Sequence, residues 1–370
     1  MVYCGRRRSN RIVALDFLPP TRDFNNMTHR LFFNSLFFIS SLFSIGCFYI
    51  QGYRKPIVQP LANDSLFIYV KTKANWNQFC QDLDRQKVLS DLALFIKFAK
   101  WKNLDKNLKP GRYKLSRGMK ARDIVNLLKS GRQSPVRISF HYVRTPHEIA
   151  GRVARKIEAD SIAISSLLRD TAWLRINLNV DTLALNGLFI PNTYEMYWNT
   201  SAEEFLLRMK HEYDKFWNNT RREKSSQLGL TPHQVATLAS IVQAEQSKYK
   251  EEWPVIAGLY LNRLKKGMPL ESDPTVKFAW NNPTIQRLYI HHLHIESPYN
   301  TYKNHGLPPG PILVPEPEAY DATLNPQTHS YLYMCAKDDL SGKHNFAQNL
   351  REHLKNARAY HKALNKRNIH

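Results

Sequence analysis

Apolar side chains recur along this chain with two periods. In "TPHQVATLASIVQAEQ", residues 231–246, Val235, Leu238, Ala239 and Val242 stand at helical spacing and predict one buried helix face. Thr231 supplies a cap, Pro232 suits the first helical position, and Gln234 can complete a capping box. Three residues on, the stripe reaches Glu245, a carboxylate where an apolar residue belongs. Its register places it with Leu238 and Val242, while Gln243, Gln246 and Lys248 are free to point elsewhere. "SLFIYVKT" and "PVRISFHYV" alternate as strands, and helices are predicted near 74–86 and 89–101. "LKPGRYKLSRGMKARDIVNLLKSGR" reads as a Pro-Gly turn, a strand at 112–115 and a helix closed by Gly131. A second capped start appears at Thr145, Pro146 and Glu148. Past 231 the loops "ESDPTV", "ESPYNTY" and "NHGLPPGPILVPEP" alternate with the helices. Their prolines fix backbone angles and predict stiff walls suited to a cleft. Together these elements predict an α+β chain without long repeats.

Residues 31–50, "LFFNSLFFISSLFSIGCFYI", carry no charge and are long enough to cross a bilayer, which predicts a single transmembrane helix. Six arginines precede it, at 6, 7, 8, 11, 22 and 30, against Asp16 and Asp23. That asymmetry keeps the N-terminus in the cytoplasm and sends the C-terminal body across an inner membrane, although Arg54 and Lys55 weaken it. No small-x-small cleavage site follows, so an uncleaved anchor is favoured over a signal peptide. Met27 is an alternative start. The predicted organisation is therefore a basic cytoplasmic tail (1–30), the span (31–50), a linker (51–65), a small α/β module (66–132), a central mixed region (137–230) and a mixed catalytic region (231–365).

Charge enters next: 53 Lys+Arg stand against 31 Asp+Glu, a formal +22. Such a field favours polyanions. Outside the membrane the fitting one is anionic cell-wall polymer, and no nucleic-acid partner is expected. The 4 cysteines show no metal-type spacing, and Cys80 and Cys335 read as small buried residues rather than a disulfide pair. His291, His292 and His294 are spaced too unevenly to converge on one ion, so no metal or other cofactor is expected.

A carboxyl held among apolar groups has its charged form disfavoured and keeps a proton to higher pH, as a general acid requires. Glu245 is thus the candidate catalytic residue. Asp273, in "SDPTV", is either a second carboxylate near it or a turn residue, and the Asp-Pro step favours the turn. Tyr299, Asn300, Thr301 and Tyr302 offer aromatic faces and polar groups suited to sugars, and are equally suited to packing a loop.

"LASIVQAEQ", "LNRLKKGMPLESDPTVKFA", "SPYNTYKNHGLPPGPI" and "KHNFAQNLREH" occur in order across about 235–360 and resemble the successive motifs of the endolytic murein transglycosylase, or YceG-like, family. "KPGRYKLSRGMKARDIVNLLKSG" and "NGLFIPNTYEMY" resemble its LysM-like module and central region. The resemblance implies a membrane-anchored enzyme that cleaves peptidoglycan glycan strands between N-acetylmuramic acid and N-acetylglucosamine. It leaves 1,6-anhydro ends and so terminates elongation, with peptidoglycan synthases as partners. It implies Glu245 as the essential glutamate, matching the second acidic position of the family's motif. Gln243 replaces the first acidic residue, and Asn192 replaces the aspartate of a commoner P-D-T-Y. It also draws His344 and Asn345 into the substrate-binding set, though a structural polar network would explain them too. The alternatives are a non-catalytic peptidoglycan-binding or divisome scaffold, and a hydrolytic muramidase, which needs a second carboxylate.

The topology is testable. A reporter fused after His370 is expected to be active only if it works in the periplasm; strong activity of a cytoplasm-only reporter would refute the span.

Overall fold

The helix that carries Glu245 starts as its sequence dictates. The Thr231 hydroxyl accepts the N–H of Gln234, and the Gln234 side chain accepts the N–H of Thr231 at 2.8 Å. In this computed structural model residues 46–58, 65–282, 285 and 287–367 are described. The predicted span at 31–50 lies outside the described residues up to position 45. Residues 46–54 are helical, with Tyr49 edge-on to Trp101 at 4.3 Å and Tyr53 edge-on to Phe98 at 5.5 Å. Among the described residues no helix is long and apolar enough to cross a membrane.

The chain forms two compact units. Of the described residues, one comprises 46–58, 65–66, 75–108 and 115–130; the other comprises 67–74, 109–114 and those from 131 to 367. The two-stranded sheet of β1 (Ser65–Val70) and β2 (Gly111–Ser116) thus gives residues 67–70 and 111–114 to the larger unit. Besides the helical residues 46–54, the smaller unit holds the helices α1 (Trp76–Gln86), α2 (Leu92–Trp101) and α3 (Ala121–Ser130). Leu83, Phe95, Phe98, Ile124 and Leu128 are buried there, each at the helical spacing of its own element.

In the larger unit β3 (Val136–Phe140) pairs antiparallel with β4 (Asn192–Met196), Ile138 opposite Tyr194. Helices α4 (Pro146–Ala154), α5 (Ser161–Arg169), α6 (Thr171–Leu178) and α7 (Ala202–Phe216) share one apolar core with this ribbon, including Phe140, Ile149, Ile164, Leu174 and Phe205. A second core gathers on α9 (Pro232–Glu245), which packs against α8 (Asn219–Gln227), α10 (Trp253–Lys265), α11 (Asp273–Trp280) and α12 (Pro317–Leu324). A hairpin of β5 (Tyr333–Ala336) and β6 (His344–Ala347) follows, then α13 (Leu350–Lys366). The arrangement is α+β, with small two-stranded sheets among many helices.

The one-faced reading of α9 does not hold. Every residue from Val235 to Gln243 is buried, because neighbouring helices enclose it on several sides. Gln243 and Gln246 are buried with the rest, each in a side-chain hydrogen bond: Gln243 Oε1 accepts the N–H of Glu316 at 2.8 Å, and Gln246 Nε2 donates to Glu252. Cys47, Cys80 and Cys335 are free thiols.

Close packing of α10 rests on Gly258, where an added Cβ would lie 2.4 Å from the carbonyl oxygen of Gln327. Gly258→Ala is expected to cost about 1–3 kcal/mol, read as a lower denaturation midpoint. Gly151→Ala, with nothing within 4 Å of the new Cβ, should leave the midpoint unchanged or raise it. Equal effects of the two would refute the packing argument.

Candidate active site

Glu245 is the last residue of α9. The helix stops there because Gln246 turns to an extended backbone, φ −131°, while its N–H still reaches the Val242 carbonyl. Both protein donors to the Glu245 carboxyl use one oxygen: Tyr260 Oη, from α10, donates to Oε1 at 2.6 Å, and Ser272 Oγ donates to the same atom. No hydrogen bond among the described residues falls on Oε2. A proton on this carboxyl is therefore disfavoured on Oε1, where it would meet two donors, and favoured on Oε2.

Burial dominates the electrostatics of Glu245 and pushes its pKa above the usual carboxylate range. The hydrogen bonds from Ser272 and Tyr260 oppose that, the negative charge of Asp273 adds to it, and His344 opposes it weakly. Tyr260 in turn holds its phenol proton far above the ordinary range, first through burial and then through the Glu245 charge beside it. The phenol thus stays a donor.

Ser272 is held from several directions. Its N–H donates to Thr301 Oγ1 at 2.9 Å, Thr301 Oγ1 meets Thr275 Oγ1 at 2.8 Å, and Thr275 Oγ1 donates to the Ser272 carbonyl at 2.7 Å. Ahead of it, Arg263 Nη1 donates to the Leu270 carbonyl at 2.8 Å and Nη2 pairs with Glu271 Oε2 at 2.7 Å. Glu271 has a left-handed backbone, φ +51°, a conformation that costs a non-glycine residue energy and that these bonds maintain.

The carboxyl opens into a cleft of about 350 Å³ lined by Glu245, Asp273, Tyr302, Tyr333, His344 and His353 among others. Of the predicted binding residues, the structure brings Asp273, Tyr302 and His344 to this cleft. Asp273 opens α11, exposed, and accepts the Tyr302 hydroxyl at 2.7 Å, so it is a first-turn helix residue rather than part of an isolated turn. Burial, then this bond, drives the Tyr302 pKa upward.

Tyr299, Asn300, Thr301 and Asn345 do not line the cleft. Tyr299 packs on Phe278 at 4.7 Å. Asn300 is fully buried, donating to the Leu293 and Ile295 carbonyls at 2.9 Å each, so its amide holds the loop. Thr301 acts through Ser272. Asn345 neighbours His344 on β6, and strand alternation turns it to the other face. His292 Nδ1 accepts the Tyr289 N–H at 3.0 Å, and among the described residues no group of three or more acidic, histidine or cysteine side chains could hold a metal.

Sequence reasoning passed over Tyr260, Ser272, Arg263 and Glu252. Tyr260 follows Trp253, Ile256 and Ala257 at helical spacing and reads as core. Ser272 stood inside a quoted motif, beside the aspartate that drew attention instead.

The sequence pattern of the YceG-like family matches residues 68–359. The endolytic murein transglycosylase of Bacillus subtilis is 27% identical over 333 residues, covering 85% of this chain and 91% of the relative. That of Streptococcus pneumoniae strain R6 is 28% identical over 351 residues, and the match spans 62% of its length. The crystal structure of a yceG-like protein from Listeria monocytogenes aligns with TM-score 0.54 and 27% identity over 79% of this chain and 98% of that one.

The raised pKa of Glu245 has a consequence for stability. The native state keeps a proton that the unfolded chain releases above about pH 4.3, so its contribution is full below that pH and is lost as pH rises through the folded value. Glu245→Gln removes this loss. Its melting temperature relative to wild type should climb between pH 4 and neutral pH, by on the order of a few degrees. A difference that stays flat with pH would refute the burial argument.

Proposed function

The chain belongs to the YceG-like family, and from that premise we propose that it is a lytic transglycosylase acting on the glycan strands of peptidoglycan, with Glu245 as its acid and base. The observation that carries the reading is a carboxyl at the end of α9 whose surroundings favour its protonated form, lining a cleft, with both protein donors on one oxygen. The names of the Bacillus and Streptococcus relatives support the same activity.

Glu245 Oε2 would give its proton to the glycosidic oxygen as the bond from C1 of N-acetylmuramic acid breaks. Tyr260 and Ser272 then stabilise the carboxylate that remains. That carboxylate takes the proton of the same sugar's C6 hydroxyl as the oxygen closes on C1, which restores the acid and leaves a 1,6-anhydro end. Water is not consumed. Asp273, exposed in the same cleft, is the feature that a hydrolytic muramidase would use to activate water, and the identity of the product separates the two chemistries. In this reading Asp273, Tyr302 and His344 contact the sugars, the uncharged stretch 31–50 anchors the chain in the inner membrane, and the body works outside the cytoplasm beside the synthases that supply nascent strands.

Digestion of purified glycan strands, with the new termini identified by mass spectrometry, tests the proposal. Wild type should leave anhydro ends. Glu245→Gln should stay folded and bind glycan while turnover falls at least about 10²–10⁴-fold, and Asp273→Asn should lose much less. Reducing ends as the main product, or near-normal cleavage by Glu245→Gln, would overturn it.

A further inference from the structure

We propose that Glu252 is a positioning residue of this site: it fixes the His344 imidazole with Nδ1–H turned inward and so presents Nε2 to the glycan. The proposal takes the nature of the ligand from the function proposed above and adds the device that sets one of its contacts.

Glu252 lies between the end of α9 and the start of α10, and was not singled out by any motif. Its Oε1 accepts the backbone N–H of His344 at 3.0 Å. Its Oε2 accepts His344 Nδ1–H at 2.8 Å and Gln246 Nε2–H at 2.9 Å. The Gln246 amide is itself pinned, donating also to the Gly342 carbonyl at 2.9 Å and accepting the N–H groups of Lys248 and Tyr249 at 3.1 Å each. A single carboxylate thus ties the residue that follows Glu245 to the residue that opens β6, and Glu245 and His344 line the same cleft.

Burial alone would raise the Glu252 pKa, yet the bonds from the His344 backbone, Gln246 and the His344 ring outweigh it and the net direction is down. The group is therefore an ionised acceptor with no proton to give, which obliges Nδ1 to carry the hydrogen. The side chains of His344 and Glu252 keep 15% and 10% of their surface exposed, so water competes little for the bond. Nε2 has no hydrogen-bond partner among the described residues. On the neutral ring it is an acceptor, matched to a sugar hydroxyl or an acetamido N–H.

Glutamine cannot replace Glu252 here. Three donors converge on the group, and an amide offers one acceptor oxygen while aiming its own N–H groups at a donor. A tie that only held the hairpin to α9 would leave the ring tautomer irrelevant to glycan, and this separates the two roles.

The test uses the full chain labelled with ¹⁵N-histidine at pH 8, the His344 ring signals being identified by their loss in His344→Ala. Wild type should show the Nδ1–H tautomer, and Glu252→Gln a mixture. Affinity for purified glycan strands is then read without turnover in the Glu245→Gln chain. Adding His344→Ala or Glu252→Gln should each weaken binding about ten- to hundredfold, and the two together should weaken it no further than one alone. His344→Ala leaves the carboxylate its Gln246 and backbone partners, so it probes the same atom should Glu252→Gln fail to fold. An Nε2–H tautomer in wild type, undiminished binding by His344→Ala, or additive losses would overturn the proposal. Reducing ends from wild type would sink the transglycosylase reading alone, because the tautomer is read with no glycan present.

Discussion

A carboxyl that favours its proton needs surroundings that penalise its charge, and one that meets a ligand must still reach solvent on one side. Glu245 meets both conditions through its position at the final residue of a helix enclosed by other helices. One turn earlier on α9 it would sit among residues that are wholly buried. One residue later the chain has already turned extended and committed its side chain to Glu252 and Gly342. The end of the helix is where burial gives way to the cleft, and Glu245 stands on that boundary.

The rest of the larger unit can be understood as support for this placement. Tyr260 comes from α10 and Ser272 from the loop that precedes α11, so two elements packed against α9 converge on one carboxyl oxygen. Neither donor is held by its own rotamer alone. Arg263 spans from α10 to the Leu270 carbonyl and the Glu271 side chain, keeping a left-handed residue in place beside Ser272. Thr301 and Thr275 close a small hydroxyl network around Ser272 from the other side. Buried polar groups of this kind are costly unless each is paired, and here the pairing also aims a donor.

Gln243 shows how a neutral polar residue ties α9 to its surroundings. Its side chain is buried and accepts the N–H of Glu316, the residue ahead of α12. An amide oxygen performs that task without a charge to bury. The position works as a clamp between α9 and the residue ahead of α12.

Helix starts, strand alternation and the candidate acid were legible in the sequence because each depends on neighbours within a few residues. Thr231 and Gln234 cap each other across three positions, Ile138 and Phe140 are buried by simple alternation on β3, and Glu245 stood out because it broke a periodic stripe. The YceG-like resemblance was carried by ordered motifs for the same local reason. Long-range proximity was not legible. Fifteen residues separate Glu245 from Tyr260 and 27 separate it from Ser272, and nothing in either segment marks its hydroxyl as facing a carboxylate. Asn300 and Thr301 looked like ligand groups because a buried polar side chain and a cleft one are the same residue in sequence; only packing decided that the Asn300 amide holds its loop and the Thr301 hydroxyl holds Ser272. The burial of α9 on all sides was likewise a tertiary outcome, since a periodic stripe records the apolar positions but not how many helices will come to cover them.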